Sequence, residues 1–215
     1  AGGGPCCGAN GDGGPAINAT LDNPFDVAVA PDGSVLISQI GASSRIRRVG
    51  ADGIITTVAG GGGCAGSPCG DGGLATQARL NWPYGLAVAT DGSIFIGEGN
   101  SDDRVRWVGP DSLITTVVGG GPCCSIGDGG PATKAVLNGP WYLATTSDNS
   151  VLISDGSNNR IRRISSSIPG FSALDIAIAS EDGRLLYRFN PEGRHLSTVD
   201  TLTKTVLYTF GYDSA

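Results

Sequence analysis

Gly11-Asp12-Gly13-Gly14-Pro15-Ala16-Ile17-Asn18-Ala19-Thr20-Leu21-Asp22 is the first of three copies of one twelve-residue motif in this chain. The other copies span residues 70–81 and 127–138, and each begins again with Gly-Asp-Gly-Gly. Successive copies start about 58 residues apart, a period that indicates an array of similar structural units.

Short apolar segments follow each Gly-Asp-Gly-Gly motif. In the first unit they cover residues 26–30, 35–40, 45–49 and 54–59; in the second, 85–90, 94–98, 104–108 and 113–118; in the third, 142–146, 151–155 and 160–164. They are rich in Val, Ile and Thr, contain no internal proline and are separated by turn sequences such as Pro31-Asp32-Gly33-Ser34, all of which favours β-strands. Four meandering strands per repeated unit are typical of a β-propeller blade.

The third segment of each unit carries several arginines and begins at Arg45, Arg104 or Arg160. One interpretation is an anion-binding patch. The preferred one is structural, with the arginines paired to acids such as Glu98 or Asp155 near the preceding turn.

Composition narrows the class of protein. The chain has 215 residues, 40% of them hydrophobic, and a net charge of −6, so it can bury a core but is a poor candidate for binding nucleic acid or an anionic membrane. We expect no membrane insertion, because no apolar run is long enough to span a bilayer. The sequence opens inside a repeat unit and contains no Met, so we expect it to be a piece of a longer polypeptide.

All cysteines lie in the loop just before Gly-Asp-Gly-Gly, two per unit: Cys6, Cys7, Cys64, Cys69, Cys123 and Cys124. This placement predicts disulfides within each loop and an oxidising compartment, with free thiols as the alternative. A bond between the adjacent cysteines of the first or third pair would be strained. Zinc is not expected, because the spacing fits no standard site and His195 is the only histidine.

The motif is absent from the sequence after residue 165. A Ser- and Gly-containing linker at residues 165–170 leads into strand-like segments at 174–179, 185–189, 195–199 and 205–210. We therefore expect two domains, residues 1–165 and 171–215.

Two stretches of the repeat units, Leu86-Ala87-Val88-Ala89-Thr90-Asp91-Gly92-Ser93-Ile94-Phe95-Ile96 and Ile153-Ser154-Asp155-Gly156-Ser157-Asn158-Asn159-Arg160-Ile161-Arg162, resemble NHL repeats. The tail stretches at residues 187–196 and 208–215 resemble the start of a YD-repeat (Rhs-type) shell. An NHL propeller joined to YD repeats is similar to the core of teneurins and of bacterial YD-repeat relatives. The resemblance implies an all-β chain: a partial NHL-type propeller of about three four-stranded blades, then the first strands of a YD-repeat shell.

The aspartates of the motif, Asp12, Asp71 and Asp128, are candidates for a calcium site, but one carboxylate per loop is few for calcium. The preferred interpretation is a tight turn at the outer edge of the next blade. There the aspartate caps one helical turn of the Ala-rich segment that follows. We expect no bound metal and no cofactor.

Aromatic residues stand at the entrance of two first strands: Trp82, Tyr84, Trp141 and Tyr142. They could form a rim that binds a protein or a glycan, but the preferred interpretation is that they pack between blades. Asn18-Ala19-Thr20 is an N-glycosylation sequon, which is meaningful only in a secretory eukaryotic cell.

No Gly-x-Ser-x-Gly motif, phosphate loop or Ser-His-Asp set appears, so we expect no catalytic residues and no enzyme. The sequence favours a recognition or scaffold module of a large secreted or cell-surface YD-repeat protein. The resemblance implies adhesion in animals, or toxin delivery in bacteria. Its partners would be a protein or glycan and the rest of its own shell. The alternatives are an NHL-propeller lyase or hydrolase with active residues in further blades, and a structural repeat protein that assembles through open propeller edges.

Overall fold

The structure is a computed structural model of the chain. It describes residues 1–3, 11–41, 44–63, 70–99, 103–120, 127–147, 150–164, 176–180, 184–189, 195–200, 202–203 and 205–209. The chain divides into two compact units, Ala1–Ile164 and Ser165–Ala215. Among the described residues, no helix is long and apolar enough to cross a membrane.

The first blade is a five-stranded antiparallel sheet. Its strands are β1 (Gly14–Pro15), β2 (Pro24–Val29), β3 (Val35–Gln39), β4 (Arg45–Val49) and β5 (Ile54–Gly60). Four of them form the predicted meander, and β1, supplied by the Gly-Asp-Gly-Gly motif, adds to the outer edge in the order β1-β5-β4-β3-β2.

The second and third blades repeat the antiparallel meander, with four and three strands respectively among the described residues. The second contains β6 (Pro83–Val88), β7 (Ile94–Glu98), β8 (Arg104–Val108) and β9 (Ile114–Gly119), and the third contains β10 (Pro140–Thr145), β11 (Val151–Asp155) and β12 (Arg160–Ile164). Strand β6 contacts β2 on one side and β10 on the other, so the first strands of the three blades lie side by side. The predicted all-β fold and partial propeller are confirmed.

The core lies between neighbouring blades. Leu36 and Ile46 of the first blade pack in one buried cluster with Leu86, Ile96 and Ile114 of the second. A sheet packed between two others is apolar on both faces. Its strands therefore carry apolar residues at consecutive positions and not only at every second one.

The Gly-Asp-Gly-Gly motif runs along the outermost strand of the blade that follows it. The Gly13 N–H donates to the Ile55 carbonyl at 2.8 Å, and the Gly72 N–H donates to the Ile114 carbonyl at 2.7 Å. The second motif also contacts the preceding blade, because the Gly62 N–H donates to the Ala78 carbonyl at 3.1 Å. The motif therefore lies between the outer strands of successive blades.

The predicted helical turn is confirmed as a 3₁₀ turn in each motif, at Ala16–Asn18, Ala75–Gln77 and Ala132–Lys134. The predicted capping by aspartate is wrong. The residue before each turn is Pro15, Leu74 or Pro131, and no side chain caps these turns.

The second unit is a separate four-stranded antiparallel meander. Its strands are β13 (Ile176–Ala179), β14 (Leu185–Phe189), β15 (His195–Asp200) and β16 (Val206–Thr209), in that order across the sheet. Whether this sheet begins a YD-repeat shell stays a prediction.

Candidate functional site

Aromatic side chains gather at one end of the three adjacent first strands. Each of these strands begins with proline followed by an aromatic residue: Pro24-Phe25, Pro83-Tyr84 and Pro140-Trp141. The repeat therefore sets equivalent aromatic positions next to one another. We call Phe25, Trp82, Tyr84, Trp141 and Tyr142 the aromatic cluster.

Ring contacts join four members of the aromatic cluster across the three blades. The Phe25 and Tyr84 rings meet edge to face with centroids 4.9 Å apart, and Trp82 lies 6.1 Å from Tyr84. Phe25 also stacks with Tyr142 at 6.3 Å. Gly85 permits the close approach of the β6 and β10 backbones, because a Cβ there would lie 2.8 Å from the Trp141 carbonyl oxygen.

The aromatic cluster faces solvent. Phe25 is 43% exposed, Trp82 36%, Trp141 41% and Tyr142 56%, while Tyr84 is half-buried. Trp141 packs on backbone, since added Cβ atoms at Gly139 and Gly156 would fall 2.8 and 2.5 Å from its ring. Exposed rings on a rigid support suit recognition better than interblade packing.

The backbone of Trp82 adopts an unusual conformation. Its φ is +47°, and the equivalent residues before proline, Asn23 and Gly139, have φ of +43° and +72°. Asn and Gly adopt this left-handed region readily, whereas a bulky Trp there carries strain of about 1–3 kcal/mol. Strain held at an exposed aromatic residue supports a functional role for Trp82.

Polar groups at the ends of the second strands hold the segments that carry the aromatics. The Glu98 carboxylate accepts the Asn81 N–H at 2.7 Å and the Arg104 Nε–H at 2.5 Å. In the third blade, Asp155 accepts the Asn138 N–H at 2.6 Å. Burial raises the pKa of Glu98, although the charges of Arg104 and Arg106 oppose that rise.

The predicted structural pairing of the third-strand arginines is confirmed for both named acids. Arg104 pairs with Glu98 at 2.5 Å, and Arg162 lies 3.7 Å from Asp155. In the first blade the neutral Gln39 stands where the other blades have Glu98 and Asp155. Arg47 Nη1 donates to Gln39 Oε1 at 3.2 Å.

Two aspartates link neighbouring blades beneath the aromatic cluster. Asp26 Oδ2 accepts the Leu86 N–H at 2.9 Å, which joins the first blade to the second. Asp103 Oδ1 accepts the Gly139 N–H at 2.8 Å, which joins the second blade to the third. These bonds limit relative movement of the strands that present the rings.

The three motif aspartates each bind an arginine of their own blade. Asp12 pairs with Arg47 at 2.6 Å, Asp71 with Arg106 at 2.5 Å, and Asp128 with Arg162 at 2.7 Å. Each carboxylate thus already has a cation beside it, which weakens the case for calcium. Among the described residues, no group of three or more His, Cys, Asp or Glu side chains is placed to hold a metal ion.

The remaining predicted residues lie elsewhere. Asn18 is exposed at the end of the first 3₁₀ turn. All six cysteines, Cys6, Cys7, Cys64, Cys69, Cys123 and Cys124, lie outside the described residues, so their pairing stays a prediction. Sequence reasoning missed Phe25, although its position after proline matches that of Tyr84 and Trp141.

A groove of about 400 Å³ lies between the first two blades, lined by residues that include Asp32, Arg48 and Asp91. Its walls include the turns that follow the first strands, whereas the aromatic cluster lies where those strands begin. Arg48 pairs with Asp32 in this groove.

Comparisons with known proteins agree with this fold. The family model described as "Teneurin NHL domain" matches residues 63–126. Teneurin-m of Drosophila melanogaster is 33% identical over 88% of the chain, and Teneurin-1 of Homo sapiens is 26% identical over 95%. The chain spans 7% and 10% of the lengths of these two relatives.

Among solved structures, a Bacteroides thetaiotaomicron protein of unknown function superposes with a TM-score of 0.55 at 22% identity. The match covers 65% of this chain and 34% of that chain, and it supports the propeller fold alone. Taken with the teneurin matches, it confirms the resemblance to NHL propellers and to teneurins. The YD-repeat resemblance of the tail stays a prediction.

Proposed function

We propose that this teneurin-like chain is a non-enzymatic recognition module of a large secreted or cell-surface protein, and that its aromatic cluster binds a protein partner. The observation that carries the proposal is the convergence of four contacting aromatic rings from three blades, with the exposed Trp141 next to Tyr142, at one solvent-facing end. Similarity to teneurins supports a cell-surface adhesion or scaffold role.

The physical case rests on how protein interfaces obtain their energy. Trp and Tyr dominate binding hot spots because they bury large areas with few rotatable bonds. Here the backbone beneath the rings is fixed by the carboxylates of Asp26, Glu98, Asp103 and Asp155. A surface fixed before binding loses little conformational entropy when a partner docks.

The finer features of the proposal follow from the sequence. We place the module outside the cell, with disulfides in the cysteine loops and a second unit that leads into a YD-repeat shell. In an animal protein the role would be adhesion, and in a bacterial one it would be toxin delivery.

A second candidate function is assembly through blade faces. Val27 is 64% exposed and Ile161 is 71% exposed, whereas the equivalent Leu86 and Val105 of the second blade are 4% and 0% exposed. The outer faces of the first and third blades therefore resemble surfaces that other blades cover. A solution mass that increases with concentration would favour this function.

Cell binding tests the recognition proposal. The chain, tetramerised on streptavidin, is added to cultured animal cells and measured by flow cytometry, before and after the cells are treated with protease. We expect binding that protease removes and that the double variant Phe25→Ala/Tyr142→Ala weakens at least tenfold. Ile17→Ala, which truncates a side chain 71% exposed outside the cluster, serves as the control. Absence of binding, or equal binding by both variants, would contradict the proposal.

A further inference from the structure

We infer that the aromatic cluster receives basic side chains, so that its partner is a protein segment rich in Arg or Lys. This inference rests on the proposed function and specifies the chemistry of the partner. It is carried by the ring faces, by one carboxylate on the segment that leads into Phe25 and by the charge of the chain.

The ring faces are the first support. The face of an aromatic ring carries negative electrostatic potential, which attracts a guanidinium or ammonium group. Trp82, Phe25 and Tyr142 are all at least one third exposed, and they form a continuous contact series through Tyr84. An extended basic segment therefore meets several rings in succession.

The Asp22 carboxylate is the second support. Asp22 lies three residues before Phe25 and is half-buried. Its backbone carbonyl accepts a hydrogen bond from Gln39 Nε2 at 3.4 Å, whereas its carboxylate accepts none from another described residue. Asp26, by contrast, is engaged through both oxygens, by the N–H groups of Val27 and Leu86. The positions equivalent to Asp22 are the neutral Asn81 and Asn138. The first blade thus adds a charge at this end that the repeat itself does not require.

The charge of the chain is the third support. Three arginines begin third strands at this end, and two of them have acidic partners; Arg45 of the first blade is half-buried. Arg104, which begins a third strand at this end, is buried against Glu98. Arg160, its equivalent in the third blade, pairs with Asp128 at 3.3 Å. With a net charge of −6, the chain attracts a basic partner and repels an acidic one.

A neutral glycan can also stack on Trp and Tyr, but it gains nothing from Asp22 or from the net charge. The two ligand classes therefore differ in their dependence on charge. Binding of a basic segment weakens with salt and with Asp22→Asn, whereas stacking of a neutral sugar does not.

Tryptophan NMR tests the inference. The indole N–H resonances of Trp82 and Trp141 are followed in the full chain, with Trp107 as an internal reference on β8. The probes are three synthetic peptides, Gly-Arg-Gly-Arg-Gly and its Gln and Glu counterparts, together with maltoheptaose. We expect the Arg peptide to shift Trp82 and Trp141 but not Trp107, and to bind at least tenfold more tightly than the Gln peptide. The Glu peptide should not bind.

Variants assign the contacts. Tyr142→Ala and Asp22→Asn should each weaken binding of the Arg peptide at least threefold, whereas Asp52→Asn, a change in an exposed turn, should leave it unchanged. Equal affinity for the Arg and Gln peptides, or preferred binding of maltoheptaose, would overturn the inference. If protease-sensitive cell binding then still requires Phe25 and Tyr142, the proposed function stands and only the basic partner is excluded.

Discussion

Removing the charge of Asp71 should destabilise the compact unit Ala1–Ile164 far more than the same change at Asp128. Asp71→Asn keeps the shape of the side chain but removes the anion beside Arg106. The Arg106 side chain is fully buried and the Asp71 side chain is 23% exposed, with 2.5 Å between Nη2 and Oδ1. Asp128 is 64% exposed, so water already solvates its pair with Arg162.

The magnitudes follow from burial. Breaking a buried ion pair by removing one partner costs about 3–5 kcal/mol, because an uncompensated charge is left inside. Arg106 keeps the Arg79 carbonyl at 3.2 Å and Asp71 is partly solvated, so we expect about 3 kcal/mol for Asp71→Asn. An exposed pair is worth about 0–1 kcal/mol, which we expect for Asp128→Asn. Asp12, 43% exposed, should give an intermediate loss.

Urea unfolding followed by tryptophan fluorescence measures these losses. Trp82, Trp107 and Trp141 all lie in the unit Ala1–Ile164, so the signal reports that unit. With a urea slope of about 2 kcal/mol per molar, Asp71→Asn should lower the midpoint by about 1.5 M. Equal shifts for Asp71→Asn and Asp128→Asn would show that burial does not determine the cost of losing these ion pairs. A calcium-dependent rise of the wild-type midpoint that Asp71→Asn abolishes would contradict the ion-pair role of Asp71.

Three further predictions use the same unfolding assay. Burial raises the folded-state pKa of Glu98 above its ordinary 4.5. The protonated side chain therefore contributes to the free energy of unfolding below pH 4.5, and this contribution is lost as pH rises through the raised pKa. Wild type should therefore lose stability relative to Glu98→Gln over this window, and parallel pH profiles would contradict the shift. Trp82→Asn should relieve backbone strain and raise the unfolding free energy by about 1 kcal/mol while weakening cell binding; a loss of stability would count against the strain. Gly62→Ala should destabilise by about 1–3 kcal/mol, because the new Cβ falls 1.7 Å from the Gln77 carbonyl oxygen. Gly63→Ala, with no atom within 4 Å of its Cβ, is its control and should change little.

Local signals in the sequence predicted the strands of the blades well. Turn residues and β-branched runs mark each strand, and the period of the Gly-Asp-Gly-Gly motif marks each blade. Leu36 and Leu86 illustrate why the propeller was recognisable: strand residues that pack against a neighbouring blade are apolar in successive units.

The role of the motif aspartates was harder to predict, because it depends on residues far along the chain. Asp12 and Arg47 are 35 positions apart, as are Asp71 and Arg106, and Asp128 and Arg162 are 34 apart. A local turn rule favoured capping, whereas the nearly constant spacing from Asp to Arg was the signal that indicated an ion pair.

The aromatic cluster was only partly predictable for a similar reason. Trp82 and Trp141 stand out by residue type, but Phe25 resembles an ordinary strand residue at the edge of the first blade. Its part in the cluster depends on the side-by-side packing of β2, β6 and β10, which brings one position of each blade to the same end. The sequence favoured rings packed between blades, whereas Trp82, Trp141 and Tyr142 are at least one third exposed in the structure.

Hydroxyl-radical footprinting of the chain bound to cells tests most directly whether the aromatic cluster is the recognition surface. Oxidation of the exposed aromatic and aliphatic side chains is measured by mass spectrometry with and without cells. We expect Trp82, Trp141 and Tyr142 to become protected on binding, while Ile17 and Leu202, both exposed outside the cluster, stay unprotected. Unchanged oxidation of the three aromatics alongside protection at another surface would contradict it.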